Sequence, residues 1–168
     1  FAHNGTGIEG SLLQMVNHGI IASALFLIVA FIEMRMGTRS LNELRGLSKA
    51  MPVLYGSFML IMLAALGLPG LSGFVGEFMI LMGVWTSNIF SGLSGILVLM
   101  GGLSIVFASI YMLYMFQGSM QDKPENLPEG LTDIDQSEFR LIFPACLLIL
   151  LIGLYPKPFV DRITPSVD

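Results

Sequence analysis

Apolar residues along the chain form four long blocks that polar segments separate. The first block covers residues 12–34 without interruption. A helix rises about 1.5 Å per residue and needs roughly 20 residues to cross the hydrocarbon core of a bilayer, so this block predicts one membrane span. Residues 93–116 contain no charged side chain and predict another span, as does the block at about residues 139–155.

The remaining block, residues 51–90, is interrupted by the sequence LPGLSG at residues 68–73. Pro69 lacks a backbone N–H, and Gly70 and Gly73 tolerate non-helical geometry. The interruption has no charge and no aromatic anchor, unlike a loop held among lipid headgroups. Irregular backbone at membrane depth needs protein or a water-filled cavity to satisfy it. We therefore predict one discontinuous helix rather than two full spans.

These elements predict an all-α fold, a polytopic transmembrane helix bundle that forms a single domain over residues 1–168. The basic connector Arg35–Ala50 is expected on the cytoplasmic side, because Lys and Arg are retained there. The acidic connector Gln117–Glu138 would share that side if the second block is one broken span. Lys and Arg counts do not choose between one broken span and two full spans, since both leave the same cytoplasmic excess.

Composition supports a lipid environment and excludes several functions. The chain is 54% hydrophobic and 12% charged, with a mean hydropathy of +0.79, whereas soluble domains are about 25% charged. A net charge of −4 offers no basic surface for nucleic acid. The single cysteine, Cys146, and the absence of a spaced Cys/His motif predict no metal or redox centre in this chain. The N-terminal residues 1–7 resemble the middle of a loop, which suggests a piece of a longer protein.

Glu77 is the most informative residue, because it is an ionisable group within an apolar block, just after the predicted helix break. Such groups are costly in membranes and by default suggest a proton or ion pathway. Burial favours the neutral carboxyl, whereas the positive end of a half-helix favours the carboxylate. This balance would allow Glu77 to bind and release a proton near neutral pH. The alternative is a carboxylate that only packs at a helix start.

His18 lies within the first block, one helical turn after Gln14. A histidine can give and take a proton through its two nitrogens, so a relay role is one interpretation; a neutral imidazole in a helix contact is equally consistent with the sequence. Glu33 and Arg35 are expected to form a solvated pair at the end of this span. A stripe of small residues that ends at Tyr111 is expected to pack against another helix.

Four runs of residues resemble the antiporter-like M chains of bacterial proton-pumping NADH:quinone oxidoreductase, respiratory complex I. They are MVNHGIIASALF (residues 15–26), RMGTR (residues 35–39), GLPGLSGFVGEFMIL (residues 67–81) and GLYPKPFVD (residues 153–161). The resemblance extends over nearly the whole chain. It implies the C-terminal part of a multi-pass subunit in the bacterial plasma membrane, built from inverted repeats that each contain one discontinuous helix.

On this resemblance, Glu77 is the carboxylate of the second half-channel and His18 belongs to a hydrated central axis. The break at Pro69, Gly70 and Gly73 corresponds to the discontinuous helix of the family. The family further implies an enzyme subunit, a translocase, whose partners are other membrane-arm subunits and the lipid bilayer. NADH, FMN, iron–sulfur clusters and quinone are expected in the partner subunits, and none in this chain. Gln117 departs from the family, since relatives often have a basic residue there.

Two other functions share parts of this pattern. The first is a subunit of a multi-subunit sodium/proton antiporter or of a membrane-bound hydrogenase, whose chains contain the same motifs. The second is a structural membrane chain that only anchors partners, which predicts a dry interior around Glu77 and His18. We favour proton translocation, because a purely packed bundle gains little from a buried carboxylate beside a broken helix.

Overall fold

The computed structural model describes residues 4–90, 92–123, 127–128 and 130–167. Within these ranges the chain is helical and contains no β-strand, so the predicted all-α fold is confirmed. The α-helices are α1 (Gly5–Met36), α2 (Pro52–Ala65), α3 (Ser72–Trp85), α4 (Ser94–Phe116), α5 (Gln136–Leu154) and α6 (Lys157–Ile163). Short 3-10 turns cover Leu47–Lys49, Asn88–Phe90 and Thr164–Ser166, and a π-helical turn, Gln117–Gln121, extends α4.

Among the described residues, three helices are long and apolar enough to cross a membrane: α1, α4 with its π-helical extension, and α5. The helices α2 and α3 are apolar but contain only 14 residues each. A single helix needs roughly 20 residues to span the hydrocarbon core, so neither could cross alone.

α1 extends beyond the predicted span at both ends. Asn4 caps its first turn, since the Asn4 side chain accepts a hydrogen bond from the backbone N–H of Gly7 at 2.9 Å. Gly37 ends the helix in a left-handed conformation, with φ 68°. The expected loop at residues 1–7 is therefore wrong from Gly5 onward, because the Asn4 cap starts the helix there; residues 1–3 lie outside the described ranges.

α2 and α3 follow one another along α1, and both run in the opposite direction to it. The start of α3 meets the middle of α1, where the Asn17 side chain bonds Ser72. The end of α3 meets the start of α1, where Asn4 donates to the carbonyl of Gly83 at 2.8 Å. The end of α2, at Ala64, borders the same cavity as the middle of α1. The two short helices together thus match the length of one long helix.

The end of α1, the start of α2 and the start of α5 lie together at one end of the bundle, the connector end. A network of paired polar groups joins them there. The Arg35 guanidinium donates to both carboxylate oxygens of Glu138, at 3.0 and 2.5 Å, and to the carbonyls of Phe31, Thr132 and Asp133. The Asp133 carboxylate accepts bonds from two N–H groups in the first turn of α2, at 2.6 and 3.1 Å. These bonds fix three helix ends against one another.

The expected pair of Glu33 with Arg35 is wrong. Arg35 pairs instead with Glu138, and both side chains are only 13% exposed, because the segment before α5 folds back over the end of α1. Glu33 pairs with Arg39 at 2.7 Å, in an exposed position. Hydropathy patterns report neighbours along one helix, and this partner lies far away in the sequence.

α4 and α5 complete the bundle from opposite ends. The end of α4 returns to the connector end, where Phe116 stacks on Tyr55 with ring centroids 5.5 Å apart. α5 begins at that end, where Asp135 and Glu138 form a capping box. It then runs away from the connector until Gly153 packs against Gly70 and Leu71, between α2 and α3.

Candidate functional site

The helix break lies between the end of α2 and the start of α3. Residues 66–71 leave α-helical geometry, and Gly67 and Gly70 adopt positive φ angles of 68° and 93°. Left-handed backbone of this kind is readily adopted by glycine and rarely by other residues. Pro69 lies inside this segment, where its missing N–H interrupts no helical hydrogen bond. Within the described ranges, no side chain caps the N-terminus of α3.

Gly73 lies in the first turn of α3 rather than in the non-helical segment. A Cβ atom on Gly73 would collide with the carbonyl oxygen of Ala64, near the end of α2. Its lack of a side chain therefore lets α3 begin directly against the end of α2. The predicted break at residues 68–73 and the observed non-helical segment at 66–71 thus overlap, with an offset of two residues at each end.

Glu77 lies on α3, and its half-buried carboxyl group points back toward the break. A Cβ atom on Gly67 would collide with Oε2 of Glu77, so the left-handed glycine leaves the space that the carboxyl group occupies. The other oxygen, Oε1, accepts a long hydrogen bond of 3.4 Å from Nε2 of Gln14 on α1. No salt bridge pairs Glu77 with a basic side chain among the described residues.

Glu77 and His18 line one cavity of about 270 Å³. A water molecule in the liquid occupies about 30 Å³, so this space has room for several. No direct hydrogen bond joins His18 to Glu77 in the structure, and a proton passing between them would need water. The complete lining consists of Gln14, His18, Ile21, Ala22, Leu25, Ala64, Ala65, Glu77, Tyr111 and Met112.

Tyr111 is a lining residue whose place sequence reasoning missed. The stripe on α4 that ends at Tyr111 predicted helix packing, whereas the structure places Tyr111 beside Glu77 and His18. Gln14 stood out only as a helical neighbour of His18, and the structure adds its bond to Glu77. The signal in the sequence was a tyrosine within a mostly apolar span, since its hydroxyl group can hydrogen-bond while its ring lies among apolar side chains.

Close packing of α1 against α3 holds Glu77 in place. A Cβ atom on Gly83 would lie 2.5 Å from Cα of Gly7, and one on Gly10 would lie 2.6 Å from Cβ of Met79. Gly76, which precedes Glu77, lies directly against Gln14. Small residues allow two backbones to approach in this way, so Glu77 emerges from a helix face that contacts protein.

The described residues contain no group of three or more His, Cys, Asp or Glu side chains that could hold a metal ion. Cys146 is a free, partly buried cysteine on α5. The titratable side chains that line the cavity are those of Glu77, His18 and Tyr111.

Residues 1–107 match the model of a protein family described as "NADH:quinone oxidoreductase/Mrp antiporter, TM". The chain belongs to this family. The matched range includes His18, the helix break and Glu77, and therefore all the residues of α1, α2 and α3 that line the cavity.

Curated relatives identify the branch of the family that the chain resembles. The chain is 34% identical over 168 residues to "NADH-quinone oxidoreductase subunit M" of Mycobacterium tuberculosis, and the match covers 100% of this chain and 29% of the relative. It is 36% identical over 169 residues to the subunit of the same name in Rickettsia bellii, covering 100% of this chain and 33% of the relative. The predicted resemblance to M chains is confirmed.

A solved structure shows the same fold. The chain superposes on one chain of "Respiratory complex I from Thermus thermophilus with bound NADH" with a TM-score of 0.87 and 28% sequence identity. The match covers 99% of this chain and 34% of that one. The chain therefore spans about a third of the length of the relatives it matches, and it is a multi-pass membrane protein.

Proposed function

We propose that this chain is part of a proton-translocating membrane subunit of NADH:quinone oxidoreductase. Redox chemistry in other subunits would drive the proton movement, and this part of the subunit would contain one half-channel. The observation that carries the proposal is the half-buried carboxyl group of Glu77, which borders a cavity beside a broken helix and has no basic partner among the described side chains.

Glu77 is the proposed proton-binding group. In the neutral state its carboxyl is compatible with the apolar side chains around it, and in the ionised state the Gln14 amide and the N-terminal end of α3 favour the carboxylate. An ionisable group in such a position can be loaded and unloaded as water enters or leaves the cavity. Gly67 supports this by leaving the carboxyl group room beside the break.

His18 is the proposed relay between Glu77 and the rest of the parent subunit. Its imidazole lines the same cavity, and it is exposed on the surface of this chain. A histidine has two nitrogens that can accept and donate on opposite sides of the ring. Water in the cavity would connect the imidazole to Glu77, because the two side chains do not bond directly.

The break at residues 66–71, which include Pro69 and Gly70, would allow the chain to cross the membrane once between residues 51 and 90, with Gly73 in the first turn of α3. The direction of α5 supports this, since it starts at the connector end and runs past α2 to the break. We propose four crossings, at about residues 12–34, 51–90, 93–116 and 139–155, within the single domain 1–168. The broken helix would present free backbone groups to the cavity.

The parent complex would have the cofactors and partners that the family implies. We propose that NADH, FMN, iron–sulfur clusters and quinone bind to partner subunits, and that other membrane-arm subunits cover the exposed apolar faces of this chain. The complex would act as a translocase in a bacterial plasma membrane. A sodium/proton antiporter is the second candidate, because the description of the matched family includes both classes. The relatives named subunit M favour the first.

The decisive experiment replaces Glu77 by Gln in the full complex, reconstituted into vesicles. Proton pumping per NADH oxidised is expected to fall by about tenfold or more, since the amide cannot bind and release a proton. The matched control is E33Q, which makes the same change at an exposed ion pair and should leave pumping unchanged. Unchanged pumping in E77Q would refute the assignment, and pumping that requires sodium in the medium would favour the antiporter.

A further inference from the structure

Two fully buried polar side chains lie where α1 meets the first turn of α3, and each has one atom without a partner. They are Asn17 on α1 and Ser72 on α3, and both are 0% exposed. Asn17 Oδ1 and Ser72 Oγ have no hydrogen-bond partner among the residues that the structure describes. Neither residue lines the cavity that contains Glu77 and His18. The pair is therefore a separate polar position inside the bundle.

One hydrogen bond fixes how the Asn17 amide is oriented. Its Nδ2 donates to the backbone carbonyl of Ser72 at 2.7 Å. Rotating the amide by half a turn would place Oδ1 against that carbonyl, and two acceptors cannot bond each other. Asn17 Oδ1 must therefore remain an acceptor that faces away from the carbonyl of Ser72. The hydroxyl group of Ser72 belongs to the same residue and offers both a donor and an acceptor.

Unpaired polar atoms are costly at this depth. A buried donor or acceptor without a partner loses its hydration and gains nothing in return. Proteins usually satisfy such atoms with a buried water that makes about three hydrogen bonds. A third group is available here, because the first N–H groups of α3 lack intrahelical acceptors and no side chain caps them.

We propose that Asn17 and Ser72 bind one ordered water molecule at the start of α3. The water donates to Asn17 Oδ1 and bonds the hydroxyl of Ser72, and its remaining capacity faces the uncapped backbone of α3. Together with the direct bond from Asn17 to Ser72, it joins the first turn of α3 to α1.

The direct test is a cryo-EM map of the full complex at a resolution that shows ordered water. We expect a peak within hydrogen-bond distance of both Asn17 Oδ1 and Ser72 Oγ, and we expect the same peak in buffers with and without sodium. Direct contact between the two side chains with no peak would overturn the proposal. A peak that disappears without sodium would also overturn it, because the occupant would then be a cation.

Variants test whether the water contributes to stability. Ser72→Ala retains the bond from Asn17 to the Ser72 carbonyl but removes one partner of the water. In this variant the water peak should weaken or vanish. The half-time of heat inactivation of the complex should shorten by about fivefold, the factor that corresponds to one hydrogen bond. The control is Ser57→Ala, at a buried serine on α2, for which no change is expected.

Asn17→Leu removes both the direct bond and the acceptor for water. It should lose the peak and shorten the half-time of heat inactivation more than Ser72→Ala does. If Asn17→Leu fails to assemble, Ser72→Ala still decides the question, since an unchanged peak and half-time there would contradict the proposal. This site does not depend on proton transfer, and E77Q should therefore retain the water peak even where pumping is lost.

Discussion

The two ends of α2 place polar groups in opposite situations. At the connector end, Arg35 donates five hydrogen bonds, and the Asp133 carboxylate accepts two from the first turn of α2. At the break, Glu77 has one long hydrogen bond of 3.4 Å, and Asn17 and Ser72 each have an unpaired atom. The polar network at the connector end is thus saturated with hydrogen bonds, whereas the polar groups at the break, near the other end of α2, lack partners.

This difference separates polar groups that fix the fold from those that can change state. A carboxylate with two short bonds to a guanidinium remains ionised, because protonation would cost those bonds. A carboxyl group with one weak bond and a cavity beside it loses little when it binds a proton. The connector end therefore holds the helices in place, and the break contains a carboxyl group whose protonation would cost few hydrogen bonds.

The largest expected effect comes from breaking the saturated network. Arg35→Met should destabilise the assembled complex by about 3 kcal/mol, since Glu138 would remain as a largely buried charge without its partner. The measurement is thermal unfolding of the purified complex. Arg39→Met is the control, because its ion pair with Glu33 is exposed and worth about 1 kcal/mol or less. Equal destabilisation by the two variants would show that the Arg35–Glu138 pair contributes no more to stability than the exposed Arg39–Glu33 pair does.

A smaller loss of stability is expected from separating α1 and α3. Gly83→Ala places a Cβ atom 2.5 Å from Cα of Gly7, where neither backbone has room to move. Overpacking of this kind costs about 1 to 3 kcal/mol and should lower the yield of assembled complex. Gly102→Ala on α4 is the control, because no atom lies within 4 Å of its added methyl group. The prediction is wrong if both variants assemble equally well.

The break itself is tested by Gly67→Ala. Left-handed backbone costs an alanine about 1 to 2 kcal/mol, and here the new methyl group also occupies the position of Glu77 Oε2. Gly37→Ala has the same φ angle of 68° but open space around it, so it isolates the effect of the backbone. Both variants should lose similar stability, and only Gly67→Ala should also reduce proton pumping. An equal loss of pumping in Gly37→Ala would show that the contact between residue 67 and Glu77 does not affect pumping.

The smallest effect is expected at Tyr111. Tyr111→Phe removes one hydroxyl group from the cavity and should lower the pumping rate by about two- to threefold, the low end of the range for a single neutral hydrogen bond. Tyr114→Phe is the control on the same helix, because Tyr114 does not line this cavity. If the two variants pump at the same rate, the Tyr111 hydroxyl has no part in the pathway.

The sequence predicted the features that depend on local pattern. Long apolar blocks predicted the helices, and Pro69 with its neighbouring glycines predicted a break that the structure places two residues earlier. Glu77 and His18 stood out because ionisable groups are rare inside such blocks. The structure brings them to one cavity, and their roles remain predictions.

Features that depend on long-range folding could not be predicted in this way. Arg35 bonds Glu138 because the segment before α5 folds back over α1, which no helical periodicity reports. Asn17 and Ser72 are adjacent only because α3 runs antiparallel to α1 in one register. Polar residues of this kind look ordinary in sequence, since their importance arises from the partner they meet or lack.

The contact between α1 and α3 has a mechanical consequence. A hydrogen bond from Asn4 joins the end of α3 to α1, and a hydrogen bond from Asn17 joins the start of α3 to α1. Near the end of α3, Gly83 lies against Gly7 without an intervening side chain. If the two helices slid past each other, the hydrogen bonds from Asn4 and Asn17 would both break, and side chains would be forced into the contact between Gly7 and Gly83. The two helices are therefore expected to move as one rigid unit, and the non-helical segment at residues 66–71 and the side chains that face the cavity are the parts that can change conformation.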